Sequence, residues 1–160
     1  MTVNIILGHF LLTLHLVPLL KKSSAARIVN VSSRLHNFGE IQLNNINLRT
    51  GDYNPFLAYG QSKLANVLFS RELAKRLRHS YINTYSLHPG VIDTDLNRHV
   101  RETDDKLKGK GFKGFMRRNL LLTPFMGSQT TLYCALEEDL DDETGYYYEY
   151  VLYSLICFCK

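Results

Sequence analysis

Two short apolar runs, Arg27–Val31 and Ile82–Leu87, stand on either side of one long amphipathic helix, and this alternation constrains the fold more than any other feature of the chain. The first run is rich in β-branched residues and shows little polar alternation, as expected of a strand buried on both faces of a parallel sheet. The helix is read over Leu57–His79. Leu64, Val67, Leu68, Ala74 and Leu77 fall three and four residues apart, and Arg71, Glu72, Lys75, Arg76 and Arg78 occupy much of the remaining surface. Strand, helix, strand in that order predicts a right-handed βαβ unit and hence an α/β sheet.

The flanking segments extend this pattern. Phe10–Lys22 reads as a helix apolar around most of its circumference, Pro124–Leu136 as a last helix, and Tyr146–Tyr148 as the start of a final strand. Residues 34–56 are rich in Asn, Gly and Asp and form a long loop, a type that in compact domains is commonly functional. Residues 100–123 carry Gly109, Gly111 and Gly114 among bases and aromatics and read as a mobile excursion.

Composition narrows the classes. With 160 residues, 45% hydrophobic and 21% charged, the chain fits one globular domain and not a disordered segment. A net charge of +4 is too mild to argue for nucleic acid. Cys134, Cys157 and Cys159 lack metal-like spacing, which argues against a zinc or disulfide framework. No apolar run reaches the roughly 18 residues that span a bilayer. The apolar stretch Met1–Leu20 lacks the basic start and cleavage site of a signal peptide and is read as a buried helix. Arg98–Arg118 holds eight basic and three acidic residues, whereas Glu137–Glu149 holds seven acidic residues and no base. Opposed faces of this kind are mostly solvated surface, with membrane-surface or partner contact as the alternative.

In open α/β sheets ligands bind at the carboxyl ends of the strands. Those ends here are Ser32–Ser33 and His88–Pro89–Gly90. Tyr59 and Lys63, at i and i+4 on the long helix, project from one face and can lie beside the strand end that carries Ser33. A phenol ordinarily titrates near 10, and a neighbouring ammonium favours its ionised form. A serine hydroxyl beside it can polarise a carbonyl oxygen as charge develops there. The set suits interconversion of an alcohol with a ketone or aldehyde, the hydride coming from a cofactor. His36 and His88 flank this region and are read as making local hydrogen bonds, and Cys134 as a small core residue.

The ordered motifs Arg27-Ile-Val-Asn-Val-Ser-Ser33, Ala58-Tyr-Gly-Gln-Ser-Lys-Leu-Ala-Asn-Val-Leu-Phe69 and Ser86-Leu-His-Pro-Gly-Val91, with Thr94, resemble the short-chain dehydrogenase/reductase family and, within it, the retinol dehydrogenase branch. The resemblance runs from Gly8 to about Gly145. It implies an α/β, Rossmann-type three-layer parallel sheet, here only the second half of the domain, with residues 1–148 as a partial NAD(P)-binding domain and 149–160 as a divergent tail. It also implies NADP(H) as cofactor, with NAD(H) left open, and a lipophilic alcohol or aldehyde as substrate. By position, Tyr59 is the expected acid/base, Lys63 its partner and a ribose ligand, and Ser33 the group that orients the substrate oxygen. Pro89, Gly90 and Val91 are expected to line the nicotinamide, with Thr94 near the amide or phosphates. A homo-oligomer, membrane-surface contact and attachment to the endoplasmic reticulum through a segment outside this chain complete what the resemblance implies; nucleic acid is not an expected partner.

The chain also departs from the family pattern. An asparagine with a proton-relay role normally stands three residues before the glycine matching Gly8; here that position is Ile5, with Asn4 one residue upstream. The Gly-rich phosphate loop, G-x-x-x-G-x-G, is absent from the chain. This leads to the expectation of a fragment, splice variant or incomplete gene model, with apolar faces of the helix at 10–22 and the strand at 27–31 uncovered. At about 25 cal/mol per Å2 of exposed apolar surface, such a chain is expected to be poorly stable alone and to bind NADP(H) weakly or not at all. The alternative function is then a catalytically inactive truncation acting at most as an interaction partner.

Overall fold

The computed structural model describes residues 2–51, 53–92 and 121–149. Helix α1 (Thr2–Leu20) leads to strand β1 (Ala26–Val31), followed by two 3₁₀ turns at Arg34–Phe38 and Leu43–Asn45. Helix α2 (Pro55–Leu77), strand β2 (Ile82–His88), helix α3 (Pro124–Leu136), a 3₁₀ turn at Glu138–Leu140 and strand β3 (Tyr147–Glu149) complete the described chain. The three strands form one parallel sheet in the order β1-β2-β3. Register pairs Val31 with Leu87 and His88 with Glu149, so Ser32–Ser33, Pro89 and Glu149 emerge at the same carboxyl end of the sheet.

Helix starts follow local chemistry. The Asn54 side chain accepts from the amides of Phe56 at 2.9 Å and Leu57 at 3.2 Å, and Pro55 takes the first helical position, where a missing N–H costs nothing. Thr123 and Pro124 repeat the device for α3, with Thr123 accepting from Met126 N at 3.2 Å. A helix lies on each side of the sheet. On one side α1 and α2 pack Val17, Leu20, Phe69, Leu73 and Leu77 against Ala26, Ile28 and Ile82. On the other, Cys134 of α3 joins Val29, Tyr85, Leu87, Leu140 and Tyr148. The alternation of β2 explains the split, since Ile82 faces α2 while Tyr85 and Leu87 face α3.

Three expectations need correction. Helix α1 is not buried, in keeping with the uncovered apolar face expected at 10–22: among its described side chains Thr13, Val17 and Leu20 are the most covered, and Leu12 and Leu19 are each 60% exposed. Its neighbour is α2, reached through Phe10 on Phe69 at 5.3 Å between centroids, and the other flanks face outward. Strand β1 is half-buried, being an edge strand of the described sheet, and Val31 is exposed. In α2, Leu68 points to solvent, and the buried face carries the polar Gln61, Ser62, Asn66 and Ser70 beside Ala58 and Val67. Gln61 is buried because the loop offers it backbone partners, Asn66 because the end of β1 does, and Ser70 because Asn30 meets it. Residues 93–120, with the Arg98–Arg118 basic cluster, and residues 150–160 lie outside the described residues.

Candidate active site

The polar face of α2 lies along the carboxyl end of β1. Asn30 Nδ2 donates to Ser70 Oγ at 2.8 Å, Asn66 Nδ2 to Val31 O at 3.2 Å, and Ser32 Oγ to Lys63 O at 2.7 Å. Thr84 Oγ1 of β2 donates to Ser70 O at 2.7 Å. Buried polar groups satisfied in this way resist displacement, because breaking one bond strands its partner. This seam sets the helix at a fixed height against the sheet and thereby places Tyr59 and Lys63 beside the end of β1.

Lys63 Nζ donates to the same Val31 carbonyl at 3.2 Å and lies 5.4 Å from the centroid of the Tyr59 ring. Burial lowers the Lys63 pKa below its ordinary value. Ser33 is buried and opens the first 3₁₀ turn, its Oγ accepting from Leu35 N at 3.3 Å. A hydroxyl that accepts a bond retains its own proton to donate, so the Ser33 Oγ–H is suited to a substrate oxygen.

The turn is held against α2 by two glycines. A Cβ on Gly39 would come within 2.6 Å of the Gly60 carbonyl carbon, and one on Gly60 within 3.0 Å of Leu35 O. Gln61 fastens the rest of the loop, its Nε2 donating to Ile46 O at 2.9 Å and its Oε1 accepting from Gln42 N at 3.2 Å. At the end of β2, Gly90 adopts a φ of 94°, and the chain beyond it is tied by Leu122 N to Val91 O at 2.8 Å. Pro89, Gly90 and Val91 thus leave the sheet at the end that carries Ser33.

The structure therefore brings Ser33, Tyr59 and Lys63 to one end of the sheet, with Pro89, Gly90 and Val91 at the same end. Thr94 lies outside the described residues, and Asn4 and Ile5 fall in the first turn of α1. His36 makes the local contact expected of it, with Nδ1 2.8 Å from Ser33 O. His88 is buried, and burial lowers its pKa, with Glu149 opposing and Arg34 and His36 adding to the shift. Cys134 is fully buried in the core, its thiol pushed up by burial to about 12. Sequence reasoning missed Gly39, Gly60, Asn30, Asn66 and Ser70. One signal was present: Tyr59, Lys63, Asn66 and Ser70 recur at helical spacing and form a polar stripe that an amphipathic reading assigns to solvent. Among the described residues no helix is long and apolar enough to cross a membrane, and no three metal-ligating side chains cluster.

Known proteins agree with this architecture. Retinol dehydrogenase 11 of Homo sapiens is 44% identical over 147 residues, which cover 87% of this chain and 41% of that protein. Retinol dehydrogenase 14 of Mus musculus is 41% identical over 142 residues, covering 89% of this chain and 41% of the relative. The chain thus spans about two fifths of the length of these relatives. Among solved structures, a short chain dehydrogenase from Salmonella enterica superposes with a TM-score of 0.53 at 25% identity, over 88% of this chain and 47% of that one. L-sorbose reductase from Gluconobacter frateurii, solved with NADPH and L-sorbose, shares the fold at a TM-score of 0.59 and 20% identity, over 88% of this chain and 52% of that one. The model of the short chain dehydrogenase family matches residues 1–105. Spanning both the βαβ unit and the Ser33, Tyr59 and Lys63 motifs, that match together with the relatives' identity places this chain in the short chain dehydrogenase family.

Proposed function

We propose that the chain carries the proton-transfer half of an NADP(H)-dependent oxidoreductase that interconverts a lipophilic, retinol-like alcohol and its aldehyde or ketone. The observation that supports this most is the meeting of Tyr59, Lys63 and the Ser33 turn, with the Lys63 ammonium 5.4 Å from the phenol ring centroid. In the reducing direction Ser33 Oγ–H donates to the substrate carbonyl oxygen and holds it. Tyr59 gives its hydroxyl proton to that oxygen as the carbonyl carbon is reduced. The Lys63 cation faces the phenolate left behind, which it stabilises by charge. Oxidation runs the same proton back, from the alcohol to Tyr59.

The residues present fit the nicotinamide half of a dinucleotide. Lys63 spends one donor on Val31 O and retains others for ribose hydroxyls. Tyr59 lies beside it, and the turn at Pro89, Gly90 and Val91 offers backbone groups at the same sheet end; Thr94 is proposed as a further contact. When bound, NADP(H) supplies the hydride that no side chain can. The lipophilic substrate class is proposed from the names of the relatives at 41–44% identity. Membrane association and a homo-oligomer are proposed from the family resemblance.

The test is turnover by the purified chain with NADPH or NADH and with all-trans-retinaldehyde or a small polar ketone. Because the Gly-rich phosphate loop is absent from the chain, turnover is expected to be slow and to require high NADPH, with retinol formed faster than any reduction product of the polar ketone. Preference for the polar ketone would overturn the substrate class. A second reading, a catalytically inactive chain that acts by binding another protein, is favoured by the exposed leucines of α1; retinol formation by the chain alone would contradict it.

A further inference from the structure

A cluster of ionisable groups outside the catalytic set closes on the same turn. Arg34 follows Ser33 directly, and its Nη2 pairs with Glu149 Oε1 at 2.6 Å. Glu149 ends β3 and is paired in register with His88, the last residue of β2. The other oxygen of Glu149 accepts from the Tyr147 hydroxyl at 3.1 Å. The Tyr147 ring packs on His36 with centroids 4.5 Å apart, and His36 Nδ1 lies 2.8 Å from Ser33 O. Both oxygens of one carboxylate therefore reach the turn that begins at Ser33, one through Arg34 and the other through Tyr147 and His36.

Topology makes this link unusual. Strand β2 lies between β1 and β3, so no backbone ladder joins the Ser33 turn to β3. The Arg34–Glu149 pair bridges them across the end of β2. Side-chain exposure is 16% for Glu149 and 52% for Arg34, so the carboxylate is the fixed member and the guanidinium reaches to it. Pairs with one exposed partner contribute little to stability; what this one supplies is the position of the turn. The groups acting on Glu149 are Arg34 from the turn, His88 from β2 and Tyr147 from its own strand, with His36 packed on the far side of the Tyr147 link. Burial works against its charge, but the bonds from Arg34 and Tyr147 outweigh burial and hold its carboxyl below the usual range.

We propose that Glu149 is a positioning residue: its carboxylate, acting through Arg34 and through Tyr147 and His36, fixes the turn that presents the Ser33 hydroxyl to the substrate oxygen. The inference rests on the role proposed above for Ser33.

The experiment compares the full chain with Glu149→Gln, with Arg34→Gln, and with the swapped pair Arg34→Glu/Glu149→Arg. It reads kcat and KM with NADPH and retinaldehyde, and the amide resonances of Ser33, Leu35, Val29 and Tyr85. In each single variant kcat is expected to fall about tenfold, the scale of a slightly misplaced catalytic group. KM for NADPH should stay within about twofold. The Ser33 and Leu35 amides should move while those of Val29 and Tyr85 in the strands stay in place. The swapped pair restores the charge pair but not the carboxylate that accepts from the Tyr147 hydroxyl, so it should recover kcat only in part, above either single variant. Unchanged kcat with unmoved Ser33 and Leu35 amides would overturn the proposal, as would a swapped pair no better than the single variants. Should Glu149→Gln fail to fold, the exposed Arg34→Gln carries the same test. If the parent chain shows no turnover, the catalytic reading fails by itself, and the amide shifts alone decide whether Glu149 holds the turn.

Discussion

Replacing Gly39 with alanine tests how the site is held together. Gly39 has φ −81° and ψ 145°, an extended conformation that alanine adopts without strain, so any cost must come from contact. An added Cβ would sit 2.6 Å from the Gly60 carbonyl carbon and 3.0 Å from Leu64 Cβ. Carbon contacts are favourable at about 3.5–4.0 Å, so the turn and α2 must separate by about 1 Å at this point. The obstacle is backbone and cannot rotate away. Overpacking of this kind costs about 1–3 kcal/mol, and loss of glycine's freedom in the unfolded chain returns about 0.4–1 kcal/mol. A net loss of about 1–2 kcal/mol corresponds to a fall in Tm of roughly 3–6 °C for a chain of this size. Gly8→Ala is the internal control. Gly8 lies inside α1 with nothing within 4 Å of an added Cβ, so alanine there should stabilise by about 0.5–1 kcal/mol. Thermal and urea unfolding followed by circular dichroism read both variants. Equal Tm values for Gly39→Ala and the parent would refute the close-approach argument, as would destabilisation by Gly8→Ala.

Other consequences follow from the same geometry. Ser70→Ala removes the acceptor of Asn30 Nδ2 and strands a buried donor, so urea unfolding should show a loss of about 1–3 kcal/mol. Stability should depend on pH in two windows. His88 has a folded pKa lowered from 6.5, so the unfolded chain binds protons more readily, and stability falls as pH drops below about 6.5. Glu149, lowered from 4.5, adds stability above that value that is lost as pH falls further. Urea titrations from pH 8 to 4 on the parent and on His88→Asn should show the upper window vanish in the variant. Cys134, with no exposure and a thiol pushed up to about 12, should resist a thiol reagent at pH 8 until the protein unfolds; the assay uses a Cys157→Ser/Cys159→Ser background.

Much of the fold is legible because β1, α2 and β2 carry signals that do not depend on distant contacts. Asn54 and Pro55 set the start of α2 by local bonds, and the short runs at 27–31 and 82–87 have no helical alternative of adequate length. The position of Ser33, Tyr59 and Lys63 at one end of the sheet followed from order along the chain, since a parallel βαβ unit places strand ends and the start of the next helix near one another. Burial was less legible. Asn66 and Ser70 look solvent-facing until Val31 O and Asn30 Nδ2 are there to meet them, and Leu68 looks buried until α2 turns its polar stripe inward. The partners of such groups are distant in sequence, and no periodicity encodes them. The Gly39–Gly60 approach and the Arg34–Glu149 pair are likewise products of tertiary placement, the latter joining residues 115 positions apart.

The central claim is that Tyr59 is the proton donor of this site. Its most direct test is Tyr59→Phe, with retinaldehyde reduction followed at saturating NADPH and cofactor affinity read separately by fluorescence. Removing a general acid should lower kcat by about 10²–10⁴-fold, with the dissociation constant for NADPH within about threefold of the parent. A variant that turns over at the parent rate would contradict the claim.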